Sequence, residues 1–95
     1  MNQSLNQYYI FYVVAACNSF SKAAVKLYIS QPAVSKSVAR LEEELGTALF
    51  YRMNKGVRLT DAGEVLYRQL EVAFRAIETG EAQLRKLETE GAGHE

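Results

Sequence analysis

Gln31, Pro32, Ala33, Ser35 and Lys36 fall within six consecutive positions and hold the groups needed to read the edge of a base pair. A glutamine amide can pair bidentately with adenine, and Pro32 and Ala33 offer apolar contact to a thymine methyl. A serine hydroxyl reaches a base or a phosphate, and a lysine reaches a guanine edge or the backbone. A second group, Arg52, Lys55 and Arg58, puts three cations into seven residues with no anion among them. Such a cluster can neutralise phosphates, and a cation at a turn can enter a minor groove. Ser21, Lys22, Lys26, Ser30 and Arg40 add donors suited to phosphate oxygens. The bland alternative for all of them is a solvated face. Catalytic machinery is missing by contrast. The single histidine, His94, lies in the tail, and the single cysteine, Cys17, sits in an apolar run, so neither a nucleophile–base pair nor an intrachain disulfide is available. The carboxylates of Glu42, Glu43 and Glu44 follow one another directly and point to different sides of a helix, as a solvated face does. No phosphate-cradling glycine loop and no metal-ligand spacing occurs. The sequence therefore reads as a non-enzyme without a cofactor of its own.

The charge distribution agrees with a nucleic-acid partner although the formal net charge is zero. Residues 1–60 carry seven cations against three anions, whereas residues 61–95 carry four cations against eight anions. A basic front joined to an acidic rear is expected where one part alone meets phosphate. The length of 95 residues, with 48% apolar residues, admits one small domain with an appendage. The longest apolar run, Tyr8 to Cys17, is too short for a membrane span, and no signal peptide is evident, so the cytoplasm is the expected location and no membrane the expected partner.

The elements that must hold these groups can be read from periodicity and capping. Apolar residues at 5, 8, 11, 12 and 15 predict a first helix between Leu5 and Cys17, apolar on more than one face and so covered from two sides. Asn18 suits a left-handed C-terminal cap. Ser21 reads as the N-cap of a second helix ending near Tyr28, with Phe20 and Val25 as a hydrophobic staple. Ser30 reads as the cap of a third helix, with Ile29 and Val34 as its staple and Pro32 in its first turn. Val34, Val38, Leu41 and Leu45 form its buried stripe, and Gly46 closes it. Two short helices joined so tightly must cross steeply, which is helix-turn-helix geometry. From Leu49 to Leu59 two short strands flank Asn54-Lys55-Gly56, a small β-hairpin wing with Lys55 at its tip. Thr60 caps a fourth helix. Its apolar and small residues at 62, 66, 70, 73, 77, 80, 84 and 87 repeat every 3.5 residues, as in a coiled-coil seam, with Gly80 a gap in it. The fold class is thus mainly α: a winged helix-turn-helix over residues 1–60, a linker and dimerisation helix over 61–89, and a tail at 90–95 that is disordered or foreign to the native chain.

The run Ser19-Phe20-Ser21-Lys22-Ala23-Ala24, then Leu27, then Ser30-Gln31-Pro32-Ala33-Val34-Ser35 resembles the signature of the LysR-type transcriptional regulators. The likeness continues through Leu41-Glu42, Leu45-Gly46, Leu49-Phe50, Arg52, Leu59-Thr60 and Ala62-Gly63, and covers roughly residues 5 to 66. It implies a bacterial, sequence-specific transcription regulator that binds double-stranded DNA through base contacts from Gln31, Pro32 and Ser35. Lys36 would touch a base or phosphate, Lys55 the minor groove, and Arg52 would support or contact the backbone. Two positions depart from the pattern: Asn18 replaces the usual glycine, and Lys55 replaces a common arginine, whose guanidinium is less strongly hydrated. The resemblance also implies a homodimer with antiparallel fourth helices, joined through Leu66, Leu70, Ala73, Ile77, Leu84 and Leu87 with Tyr8, Tyr9 and Tyr12 alongside, unless those tyrosines are ordinary core. A two-fold dimer would bind a near-palindrome. The family's large effector-binding domain is absent, so the small-molecule effector of the full-length protein belongs elsewhere, and contact with RNA polymerase stays open. The competing reading is a winged-helix module that binds protein without binding DNA.

Overall fold

In the computed structural model, which describes residues 5–91, the apolar run folds into α1 (Leu5–Cys17), the post around which the domain is built. Tyr8, Ile10, Phe11, Val13, Val14 and Ala15 are buried. They point in several directions because α1 touches each of the other three helices and the hairpin. Leu5, the first residue of the expected period, is exposed instead. Asn18 ends the helix in the left-handed conformation, φ 55°, as its type suggested.

Helix α2 (Phe20–Leu27) starts two residues earlier than the capping pattern predicts. Ser19, not Ser21, is the N-cap, its hydroxyl accepting from the Lys22 N–H at 3.1 Å. The left-handed turn at Asn18 brings the chain into helix at once, so Phe20 enters the core inside the first turn. Val25, the expected staple partner, is 75% exposed. Tyr28 closes α2 with φ 59°, and only Tyr28 and Ile29 separate it from Ser30. That residue caps α3 (Gln31–Leu45) as predicted, accepting from the Ala33 N–H at 3.2 Å. Val34, Val38 and Leu41 are fully buried, whereas Leu45 is exposed because α3 runs past the core before Gly46 ends it.

Strands β1 (Phe50–Met53) and β2 (Gly56–Leu59) pair antiparallel from Phe50↔Leu59 to Met53↔Gly56, leaving Asn54-Lys55 as a two-residue turn. Phe50 packs against Phe11 and Phe20, with ring centroids at 5.2 and 5.8 Å. The Val57 N–H donates to the Asn18 carbonyl, and a Cβ on Gly56 would stand 2.6 Å from that oxygen, so the wing is seated directly on the α1–α2 corner.

Thr60 caps α4 (Asp61–Gly91), its hydroxyl accepting from the Gly63 N–H at 3.0 Å and donating to the Ala48 carbonyl at 2.7 Å. The first half of α4 corrects the expected seam. Leu66 and Leu70 turn inward with Tyr67 and Phe74, a core stripe facing α1. Tyr12 stacks on Tyr67 at 5.2 Å and 18°, and both Tyr12 and Tyr9 meet the Phe74 ring. Desolvation, then the neighbouring Tyr12 and Glu71, raise the Tyr67 phenol above its usual pKa of 10.0. Tyr8 and Leu70, each 8% exposed, are buried within their own chain and cannot form a surface for a partner. Tyr12 and Leu66 are largely taken up in the same way. Ala73, Ile77, Leu84 and Leu87 stay exposed. The helix reaches Gly91; residues 92–95 of the expected tail lie outside the described residues.

A Cβ on Gly63 would run into the Leu49 carbonyl oxygen, while one on Gly80 meets nothing within 4 Å. Gly63→Ala is therefore expected to destabilise the fold by about 1–3 kcal/mol through overpacking. Gly80→Ala should stabilise it by up to about 1 kcal/mol through helix propensity. Urea denaturation of the two variants checks this, and equal shifts in the same direction would contradict the close approach at Gly63.

Candidate nucleic-acid interface

Helix α3 presents its N-terminal end outward. Gln31, Pro32, Ala33, Lys36, Ala39 and Arg40 are exposed and Ser35 is half-buried, while the Val34, Val38 and Leu41 stripe faces α1. Ala33 and Ala39 leave room for a close neighbour. The positive end of the helix dipole lies at Gln31. Ser30 takes up the Ala33 N–H through its oxygen, which leaves its own hydroxyl proton for a phosphate. The exposed anions Glu43 and Glu44 stand in the last turn and would repel phosphate there, so the face of α3 that suits an anion ends at Arg40. Across from α3, the Ser21 hydroxyl donates to the Gln31 amide oxygen at 3.1 Å.

The hairpin register separates the wing cations. Alternate residues of a strand face opposite sides, and Arg52 pairs with Val57 whereas Arg58 pairs with Tyr51. The Arg52 guanidinium lies 4.3 Å from the centre of the Phe20 ring and lines, with Ser21 and Gln31, a cleft of about 300 Å³ between the start of α2 and the wing, to which α3 contributes its first residue. Arg58 turns the other way, over Tyr51 at 5.7 Å, and shares a cleft with Asp61, Glu64 and Arg68 at the start of α4. Lys55 stands at the tip. The structure thus gathers Ser21, Gln31 and Arg52 at one cleft and sets Arg58 apart from them. Lys36 and Arg40 line the flank of α3, and Lys22 is exposed in the first turn of α2. Lys26 lies in a groove with Tyr9, Tyr12 and Tyr28, where its charge also complements the C-terminal end of α2.

One residue that positions the interface escaped the sequence reading. Glu42, taken with its neighbours as a solvated face, is half-buried. Its carboxylate accepts from the Leu49 and Phe50 N–H groups at 2.7 and 3.2 Å, tying α3 to the root of β1. Glu43 and Glu44 are exposed as expected. The signal was available: Glu42 follows Val38 by four residues and borders the buried stripe. Phe20, read as a staple, serves as the platform under Arg52. Among the described residues there is no cluster of metal-ligating side chains and no helix long and apolar enough to cross a membrane.

Comparison with known proteins matches this architecture to one family. The model of the bacterial regulatory helix-turn-helix proteins of the lysR family matches residues 5–64. The RuBisCO operon transcriptional regulator of Allochromatium vinosum is 40% identical over 87 residues, 92% of this chain and 29% of that protein. The HTH-type transcriptional regulator BudR of Klebsiella aerogenes is 46% identical over 76 residues, 80% of this chain and 51% of that protein. The chain thus spans about half or less of the length of these curated relatives. Among solved structures, the complex of the BenM DBD with catB site 1 DNA aligns with a TM-score of 0.80 and 31% identity, covering 88% of this chain and 93% of that one. Oxidised OxyR of Corynebacterium glutamicum aligns with a TM-score of 0.79 and 34% identity, covering 90% of this chain and 26% of that one. The winged helix-turn-helix expected from the sequence is the fold observed, and the chain belongs to the LysR family of bacterial regulatory helix-turn-helix proteins.

Proposed function

We propose that this chain is the DNA-binding part of a transcription regulator, with the N-terminal turns of α3 in a major groove and the wing against the neighbouring backbone. The observation that carries the reading is the common cleft of Gln31, Ser21 and Arg52, open to solvent where the first residue of α3 meets the start of α2 and the wing. Solved DNA complexes of similar chains, such as the BenM DBD with catB site 1 DNA, support it. Gln31, Pro32, Ala33 and Ser35 read bases; Lys36 reads a guanine edge or holds a phosphate. Lys22, Ser30, Arg40 and Arg52 hold the backbone, and Lys55 reaches toward the minor groove. Arg58 and Lys26 contribute to the local potential more than to direct contact. A protein-binding winged helix would not need these cations, and that alternative is not favoured.

The functional unit is a homodimer. Ala73, Ile77, Leu84 and Leu87, with Gly80 between, keep the 4-3-4-3 spacing of a seam over the half of α4 that the chain's own core leaves uncovered. Two such chains carry two recognition helices on a two-fold axis and bind a near-palindrome. The full-length protein adds an effector-binding domain and works in the cytoplasm, where contact with RNA polymerase is open to it.

Gln31→Ala is expected to relax preference at one base pair per half-site and to cost about 1–3 kcal/mol on the cognate sequence. Lys55→Ala should weaken all sequences alike and flatten the salt dependence by about 0.9 log units per log of salt for each half-site occupied. Selection from a random duplex pool, followed by titration at several salt concentrations, checks both. Equal, sequence-blind losses would sink the base-reading role.

Ending the chain before Gly80 should weaken self-association and binding to a full palindrome together, while a half-site is bound as before. Sedimentation and duplex titration read the two effects. Undiminished affinity for the palindrome in the shortened chain would overturn the dimer.

A further inference from the structure

Ser21 lies outside the α2 cap, since Ser19 fills that place, and its side chain is exposed. Its hydroxyl nevertheless has a partner from a different helix: the amide oxygen of Gln31, 3.1 Å away and ten residues along the chain. We propose that Ser21 is a positioning residue for base readout, holding the Gln31 amide in the plane and at the reach that adenine requires. The inference rests on the reading of Gln31 as a base reader.

Glutamine recognises adenine by offering its oxygen to N6–H and its NH2 to N7 at the same time. An amide on a long, exposed side chain is free to turn, and a single N–H donated to N7 accepts adenine and guanine alike, because both carry that acceptor. The carbonyl oxygen of an amide has two lone pairs. Ser21 occupies one of them, and the other lone pair and both N–H groups remain for the base. The tether therefore removes rotational freedom without consuming what adenine needs, which is preorganisation. It also bears on the phosphate role expected for Ser21 from sequence. A serine hydroxyl has one proton, and a proton given to Gln31 is not available to a phosphate oxygen.

The test uses the whole 95-residue chain and a random duplex pool. Gln31→Ala first identifies the base pair that residue reads, as the position where preference flattens. Ser21→Ala is then expected to reduce the preference for adenine over guanine at that same pair by roughly three- to tenfold, with the other positions unchanged. Ser21→Thr, which keeps the hydroxyl, should retain the preference. The double variant should be no flatter there than Gln31→Ala alone. A loss spread evenly over all sequences would mark Ser21 as a phosphate donor and overturn the proposal, as would additive effects in the double variant or an unchanged profile for Ser21→Ala. If Gln31→Ala itself leaves every position unchanged, the base-reading role of Gln31 fails first, and that outcome is separate from a failure confined to Ser21. Thermal melts of each variant check that the fold is intact, since neither side chain belongs to the core.

Discussion

The relation between α3 and the wing depends on a few hydrogen bonds at the root of the hairpin. The stretch from Gly46 to Leu49 has no regular structure, so its backbone polar groups need partners from elsewhere. One carboxylate oxygen of Glu42, Oε2, accepts from both the Leu49 and Phe50 N–H groups, and Thr60 joins the Ala48 and Leu49 carbonyls to the first turn of α4. A buried N–H left without an acceptor costs about 1–3 kcal/mol, comparable to the burial of a whole aliphatic side chain. Glu42 and Thr60 therefore decide the angle between α3 and the wing. Gly63 completes the corner, because only a residue without a side chain lets α4 begin so close to Leu49.

The aromatic residues carry that geometry outward. Phe50 packs between Phe11 and Phe20, contacts worth about 0.5–1.5 kcal/mol each beyond their area. Phe20 in turn sits under Arg52. A flexible cation is held over a ring that is fixed by the core, so the guanidinium is directed into the cleft beside Gln31. Stacking on a ring face suits the planar guanidinium better than an ammonium, which gives a physical reason for arginine at position 52. Lys55, at the tip of a two-residue turn, has no such platform among the described residues, so the wing combines one cation held on a ring with one that is not.

Most of the architecture was legible in the sequence because its signals are local. The Ser30 cap with Pro32 behind it, the left-handed Asn18 and Gly46 and the Thr60 cap each act within four residues, the hairpin between apolar runs within ten, and each appears in the structure. What was misread depended on distance. Ser19 and Ser21 are equally good caps by type, and the choice between them is made by Phe20, which must reach Phe50 thirty residues later. Glu42 looks like any surface carboxylate until β1 is laid beside it. The separation of Arg52 from Arg58 follows from strand register, which a count of cations in a seven-residue window does not contain.

The same contrast between local pattern and long-range packing explains α4. A 3.5-residue repeat from Ala62 to Leu87 suggests one seam, yet the helix serves two purposes along its length. Up to Phe74 its apolar stripe also includes Tyr67, and it is covered by Tyr9 and Tyr12 of α1. After Phe74 nothing among the described residues covers it, and Ile77, Leu84 and Leu87 lie open at 44–66% exposure. A helix of 31 residues is about 46 Å long, well beyond the two shorter extents of the described chain, 26 and 21 Å, so its exposed half extends past the core. Because the buried half is anchored at Thr60 and Gly63 to the root of the hairpin, any partner that fixes the exposed half also fixes the orientation of the recognition helix. The hydrogen-bonded corner at Leu49 thus ties the start of α4 to the root of the wing and to α3.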